Sequence, residues 1–190
     1  MKTLYLLAGC NGAGKTTAAF TLLPHLLDCR EFVNADEIAR GLSPFQPETV
    51  SIQAGRLMLT RLQELLSLGE SFALETTLAT RHYLRFIAEA QEQGYFVSLF
   101  FFWLNSPELA VRRVKSRVRE GGHNIPELVI RRRYIGGLQQ FFVAYRIAVD
   151  SWSFIDNSDG AGQLLASSAA GETMVVNEVL WQQLTTTYHV

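Results

Sequence analysis

Gly9-Cys10-Asn11-Gly12-Ala13-Gly14-Lys15-Thr16 has the residue types and spacing to hold a phosphate, matching G-x-x-x-x-G-K-[ST] at every defined position. Glycines let successive backbone N–H groups turn inward around an anion with no Cβ in the way. Lys15 can reach β- and γ-phosphates as a point charge, and the Thr16 hydroxyl can ligate Mg²⁺. A helix starting near Gly14 would aim its positive end at the nucleotide. Gly9, Asn11, Gly12, Ala13, Gly14, Lys15, Thr16 and Thr17 are thus the expected nucleotide-binding set, with ATP and Mg²⁺ as cofactors. Cys10 fills a variable loop position and is read as a bystander.

Two carboxylates follow strand-like runs: Asp36 after Val33-Asn34-Ala35, and Glu75 at the end of Ser71-Phe72-Ala73-Leu74-Glu75. In open α/β sheets ligands bind outside the carboxyl ends of the strands, so both should emerge on the phosphate-loop rim. A carboxylate there can accept a proton from an attacking hydroxyl or support Mg²⁺ through water. Each also has a plainer reading, Asp36 as a helix N-cap and Glu75 as a strand-end group bonded to backbone. The apolar run 95–104 ends in Leu104-Asn105 without an acid, which leaves metal support to Asp36 or Glu75.

A basic cluster is the third feature. Arg112, Arg113, Lys115, Arg117, Arg119, Arg131, Arg132 and Arg133 are eight of the 17 lysines and arginines, in a chain of net charge −1. Val111, Val114 and Val118 should face inward, and Arg113 and Arg117 stand four apart on one flank, where they can point to one ligand. Between the two basic segments, Glu120-Gly121-Gly122-His123-Asn124-Ile125-Pro126 reads as a lid, about 119–126, with His123 either touching phosphate or facing solvent. Arginines on a closing lid can exclude water and neutralise charge on a transferred phosphoryl group. The plainer reading is a solvated charged face.

The elements that must position these groups alternate. Strands are expected at 3–8, 31–34, 71–75, 95–104 and 152–156, and helices at 15–28, 36–41, 48–68, 80–93, 106–119 and 126–149. The alternation predicts an α/β phosphate-loop nucleotide-hydrolase fold, a parallel sheet of about five strands with flanking helices and right-handed crossovers. Leu164–Ser168 and Thr173–Val176 around Gly171 predict a small hairpin, followed by a helix near Glu178–Leu184. This C-terminal segment, about 160–190, is expected as an appendage on one domain spanning 1–190.

With 190 residues, 48% hydrophobic and 18% charged, the chain suits one packed domain. No apolar run approaches the roughly 18 residues of a membrane helix. The absence of overall basicity argues against a nucleic-acid partner, and the requirement for ATP implies a cytoplasmic location. Absent N-K-x-D and L-S-G-G-Q stretches argue against a GTPase switch and a transporter ATPase.

Ala8–Thr17, Asn34-Ala35-Asp36-Glu37-Ile38 and Glu75-Thr76-Thr77-Leu78 resemble the zeta toxin family of phosphate-loop kinases. Phe102–Glu108, Arg119–His123 and Ile130–Tyr134 resemble its branch of zeta-toxin-like predicted ATPases. The resemblance covers roughly residues 1–157. It implies ATP-dependent phosphorylation of a sugar hydroxyl on UDP-N-acetylglucosamine. By it, Lys15 and Thr16 hold ATP and Mg²⁺, Asp36 is the base, and Glu75, with Thr76 and Thr77 beside it, helps bind the acceptor. Arg117 and Arg132 match best as γ-phosphate stabilisers, with Arg119 and Arg133 next. Arg113 and Arg119 are placed with the nucleotide and Arg133 with the acceptor. The chain departs from the family's Glu-Gly-Thr pattern at Glu75-Thr76-Thr77 and from its lid spacing. No residue specifies an antitoxin partner. Two other readings stay open: a kinase for a nucleoside, nucleotide or polynucleotide end, and a nucleotide-binding regulatory module.

Overall fold

The computed structural model describes residues 1–122 and 124–189. β1 (Thr3–Ala8) is almost wholly buried, as a strand covered on both faces must be. It lies third in a seven-stranded sheet ordered β2 (Glu31–Val33), β3 (Phe72–Thr76), β1, β4 (Phe96–Trp103), β5 (Ser151–Asp156), β6 (Gln163–Ala169), β7 (Glu172–Val175). The first five strands are parallel, and their crossovers carry α1 (Lys15–Leu26), α2 (Ala35–Leu42), α3 (Ser51–Leu68), α4 (Leu84–Glu92), α5 (Pro107–Arg119) and α6 (Glu127–Gln140). This is the α/β fold the alternation predicts.

The hairpin is expected as an appendage on the main sheet, and it joins that sheet edge-on. β6 pairs antiparallel with β5, and β7 with β6, so the hairpin continues the main sheet. Ala170 and Gly171 both take positive φ, +52° and +82°, as a tight hairpin turn requires. The following α8 (Glu178–Tyr188) is not peripheral either. Its Trp181 stacks on Trp152 of β5 at 5.4 Å and 13°, and meets Phe142 at 5.2 Å and Phe154 at 5.4 Å. Such ring pairs add about 0.5–1.5 kcal/mol each beyond the apolar area they bury. The C-terminal segment thus contributes Leu165, Ala166, Trp181 and Leu184 to the core.

The single helix expected over 126–149 is broken. α6 passes into a π-helical turn at Phe141–Tyr145 and then α7 (Arg146–Ala148). The wider turn lets Phe141, Phe142 and Tyr145 all be buried. Tyr145 Oη donates to Thr80 O at 2.7 Å and accepts Tyr83 N–H at 3.3 Å, which anchors the loop ahead of α4.

Candidate active site

Three neighbouring parallel strands deliver the site. β1 runs into the loop 9–14, β3 ends on Glu75-Thr76, and β2 hands over to Asn34 and α2. Val33 lies level with Leu74 and Leu7 with Glu75, so the three carboxyl ends open on one rim. The loop lies tight on its support. Gly9 has φ +135°, and a Cβ there would fall 2.2 Å from Phe102 O at the end of β4.

Four polar or charged residues are buried among the described residues: Thr3, Asn11, Lys15 and Asn34. Three of them gather on this rim, although lysine and asparagine are rarely buried without partners. The partners centre on Glu75. Its Oε2 accepts the Thr16 hydroxyl at 2.7 Å and the Asn34 amide at 2.8 Å, while Lys15 Nζ stands 3.4 Å from Oε1. Lys15 Nζ also donates to Cys10 O at 3.1 Å. Burial pushes the Cys10 thiol up to about 11, against the opposing pull of Lys15. A hydroxyl and a carboxylate oxygen meeting at one point form the hard donor pair that Mg²⁺ favours. Among the described residues no three His, Cys, Asp or Glu gather as a metal site, so a cation here would share its ligands with phosphate and water.

Asp36 does not cap α2. Asn34 does, its Oδ1 accepting Asp36 N–H at 2.8 Å and Glu37 N–H at 3.4 Å. The Asp36 side chain is left to line two cavities. One, of ≈ 220 Å³, is shared with Lys15, Glu75, Thr76, Thr77 and Arg133. The other, of ≈ 70 Å³, is shared with Thr16 and Arg117. A third cavity, of ≈ 510 Å³, lies behind the loop among Gly14, Thr17, Thr21, Arg113 and Asn157.

The basic cluster separates by position. Arg133 donates to Asn11 Oδ1 at 3.2 Å and so sits over the phosphate loop. Arg132 does not join it. Ile130, Tyr134, Gly137 and Leu138 form the buried stripe of α6, and Arg132 falls on the opposite, exposed face. Arg119 is likewise exposed and lines none of the three cavities. Arg113 and Arg117, expected to point to one ligand, line different cavities. The Arg113 guanidinium bonds Gly12 O at 3.4 Å and Asn157 O and Ser158 O at 2.9 Å, tying the loop to the end of β5, whereas Arg117 faces the Asp36 cavity. Arg131 is held by Glu108 at 2.6 Å and Glu127 at 2.9 Å, and Lys115 by Glu127 at 3.1 Å. These contacts hold both carboxylates below their ordinary range, the Arg131 hydrogen bond contributing most. The segment read as a lid, about 119–126, falls between α5 and α6. Gly121 and Gly122 close α5 there, donating to Val118 O at 3.1 Å and Arg117 O at 2.8 Å. His123 lies outside the described residues.

Two contributors carried no role in the sequence. Asn34 had a local signal, an asparagine two residues before a helical acid. Asn157, whose Nδ2 donates to Ala13 O at 2.7 Å, comes from a loop 144 residues away in sequence and had none.

Residues 1–167 match the zeta toxin family. The chain belongs to that family. A Haemophilus influenzae relative described as an uncharacterized protein is 32% identical over 127 residues, covering 66% of this chain and 88% of its own. Among solved structures, a chain of the AvrRxo1-ORF1:AvrRxo1-ORF2 complex with sulphate ions superposes with a TM-score of 0.79 at 22% identity. That match covers 97% of this chain but 64% of the other, so this zeta toxin family member spans less than two thirds of that relative. A chain of the PezAT chromosomal toxin–antitoxin system of Streptococcus pneumoniae gives 0.66 at 16% identity, covering 98% and 85%. At these identities the structures share the zeta toxin fold, an α/β phosphate-loop kinase architecture. Among the described residues no helix is long and apolar enough to cross a membrane.

Proposed function

We propose that this zeta toxin family member is an ATP- and Mg²⁺-dependent kinase that transfers the γ-phosphoryl group to a hydroxyl of a small acceptor beside Asp36. The observation that supports this most is one cavity lined at once by Lys15, Asp36, Glu75 and Arg133. Nucleotide binding alone needs no carboxylate and arginine facing the phosphate loop across a cavity.

The triphosphate would lie along the loop 9–14, with its base in the cavity between Thr17, Arg113 and Asn157. Lys15 and Arg133 would bracket the γ-phosphate. Thr16, backed by Glu75, would hold Mg²⁺, which neutralises phosphate charge when bound. Asp36 would take the proton of the attacking hydroxyl in an in-line transfer governed by positioning and charge neutralisation. Thr76, Thr77 and Asn34 surround the acceptor end with hydroxyl and amide groups, a lining suited to a polyhydroxylated ring. UDP-N-acetylglucosamine, the acceptor the family resemblance implies, is the first to test. A cytoplasmic location and a protein antitoxin belong to the same proposal, the latter prompted by the PezAT system.

Labelled ATP offered with a panel of sugar nucleotides, free sugars, nucleosides and polynucleotide ends tests it. Label should pass to one acceptor class, and Asp36→Asn should lower that rate by about 10²–10⁴-fold with ADP affinity unchanged. Full turnover by Asp36→Asn would remove Asp36 from its role. Tight ATP binding without transfer to any acceptor would leave a nucleotide-binding module.

A further inference from the structure

We propose that Asn34 is a positioning residue that sets Glu75 and Asp36 in mutual register through the two ends of one buried amide. The inference rests on the functional reading above, because it gives work to the two carboxylates assigned there.

Asn34 is 6% exposed at the junction of β2 and α2. Its carbonyl end accepts the N–H groups of Asp36 and Glu37, fixing the first turn that carries Asp36. Its amino end donates at 2.8 Å to Glu75 Oε2, the oxygen that also receives the Thr16 hydroxyl. The amide has one satisfied orientation. Flipped, it would set oxygen against carboxylate and N–H against N–H.

Capping explains half of this side chain. Asp, Ser and Thr cap helices about as well as Asn does. Asp has no donor for Glu75, and the single oxygen of Ser or Thr sits too close to the backbone to reach Glu75 while it serves the helix. Aspartate would oppose one carboxylate with another, and serine is too short to span both partners. The donor end is therefore surplus to folding α2, and its partner among the described residues is Glu75. The result is a fixed link from the base-bearing helix, through Glu75, to the hydroxyl at the start of α1.

The test separates capping from positioning. Asn34→Ser keeps a capping oxygen on a side chain too short to reach Glu75, and Asn34→Thr does the same if the serine variant melts early. Both should melt close to the parent protein. The Mg²⁺-dependent gain in ADP affinity, measured by calorimetry with Mg²⁺ and with EDTA, should fall about tenfold or more. In the double variant with Glu75→Gln it should fall no further than in Glu75→Gln alone, since residues acting through one contact are not additive. Retention of the full Mg²⁺-dependent gain in either capping variant, or losses that add in the double variant, would overturn the proposal. ADP binding needs no transfer, so a protein that phosphorylates nothing still decides the role of Asn34. An active kinase indifferent to Asn34→Ser would remove Asn34 and leave the functional reading standing.

Discussion

The Thr16 hydroxyl donates to Glu75 Oε2 at 2.7 Å, joining the second residue of α1 to the end of the neighbouring strand β3. One hydroxyl thus connects the phosphate loop to the carboxylate beside it. Thr16→Val keeps the shape and removes the donor. ADP affinity should fall about tenfold or more with Mg²⁺ present and stay near the parent value in EDTA. Equal losses in both conditions would mean that Thr16 serves only the conformation of the loop.

Adjacent arginines on α6 should differ sharply. Arg133 lines the cavity of Lys15 and Asp36 and bonds Asn11, while Arg132 faces solvent on the far side of the helix. Arg133→Ala should lower transfer by about 10³-fold, the lower end of what a well-placed arginine contributes. Arg132→Ala should stay within about twofold of the parent, as surface substitutions do. Steady-state kinetics on both variants decides it, and the opposite ranking would move the γ-phosphate to the other face.

Gly137 is where α6 meets the loop carrying Thr76 and Thr77. A Cβ at Gly137 would lie 2.6 Å from Thr77 O, whereas one at Gly41 in α2 has nothing within 4 Å. Gly137→Ala should cost about 1–3 kcal/mol of stability and raise the acceptor KM, because the loop must move. Gly41→Ala should stabilise by about 0.5–1 kcal/mol. Thermal melts of the two variants should shift in opposite directions.

Cys10 predicts an alkaline limit. Burial raises its thiol from 9.0 to about 11 in the folded chain. The folded state then holds the proton more tightly than the unfolded state. This contribution is fully present below pH 9 and is lost as pH rises through 11. The loss amounts to at most about 2–3 kcal/mol. Cys10→Ala should flatten the fall in melting temperature between pH 9 and 11. An unchanged slope would assign the alkaline transition to other groups.

Much of this was legible in the residues because it is local. The phosphate loop announces itself by spacing, and β1, β3 and β4 by short apolar runs bounded by glycine or charge. Asp36 and Glu75 follow from the rule that chemistry sits after strands. The arginines were harder. Arg132 and Arg133 differ by about 100° around one helix, and the burial of Tyr134 and Gly137 settles which of them faces the site. Arg113 was placed with the nucleotide because its charge is visible in sequence, while the three carbonyl oxygens that hold its guanidinium are backbone atoms brought together by folding. The π-helical turn was hidden because Phe141, Phe142 and Tyr145 suit an ordinary helix equally well until the core claims all three.

Trp181 lies beyond the family-matched residues 1–167, yet it stacks on Trp152 in the middle of the sheet. This has a consequence for the chain as it is made. The loop 9–14 leaves the ribosome early, but the aromatic box closing the sheet stays open until Trp181 has emerged. At about 5–20 residues per second that interval is roughly ten to thirty seconds. A nascent chain of this family member therefore exists for a time as a phosphate loop on an unsealed core.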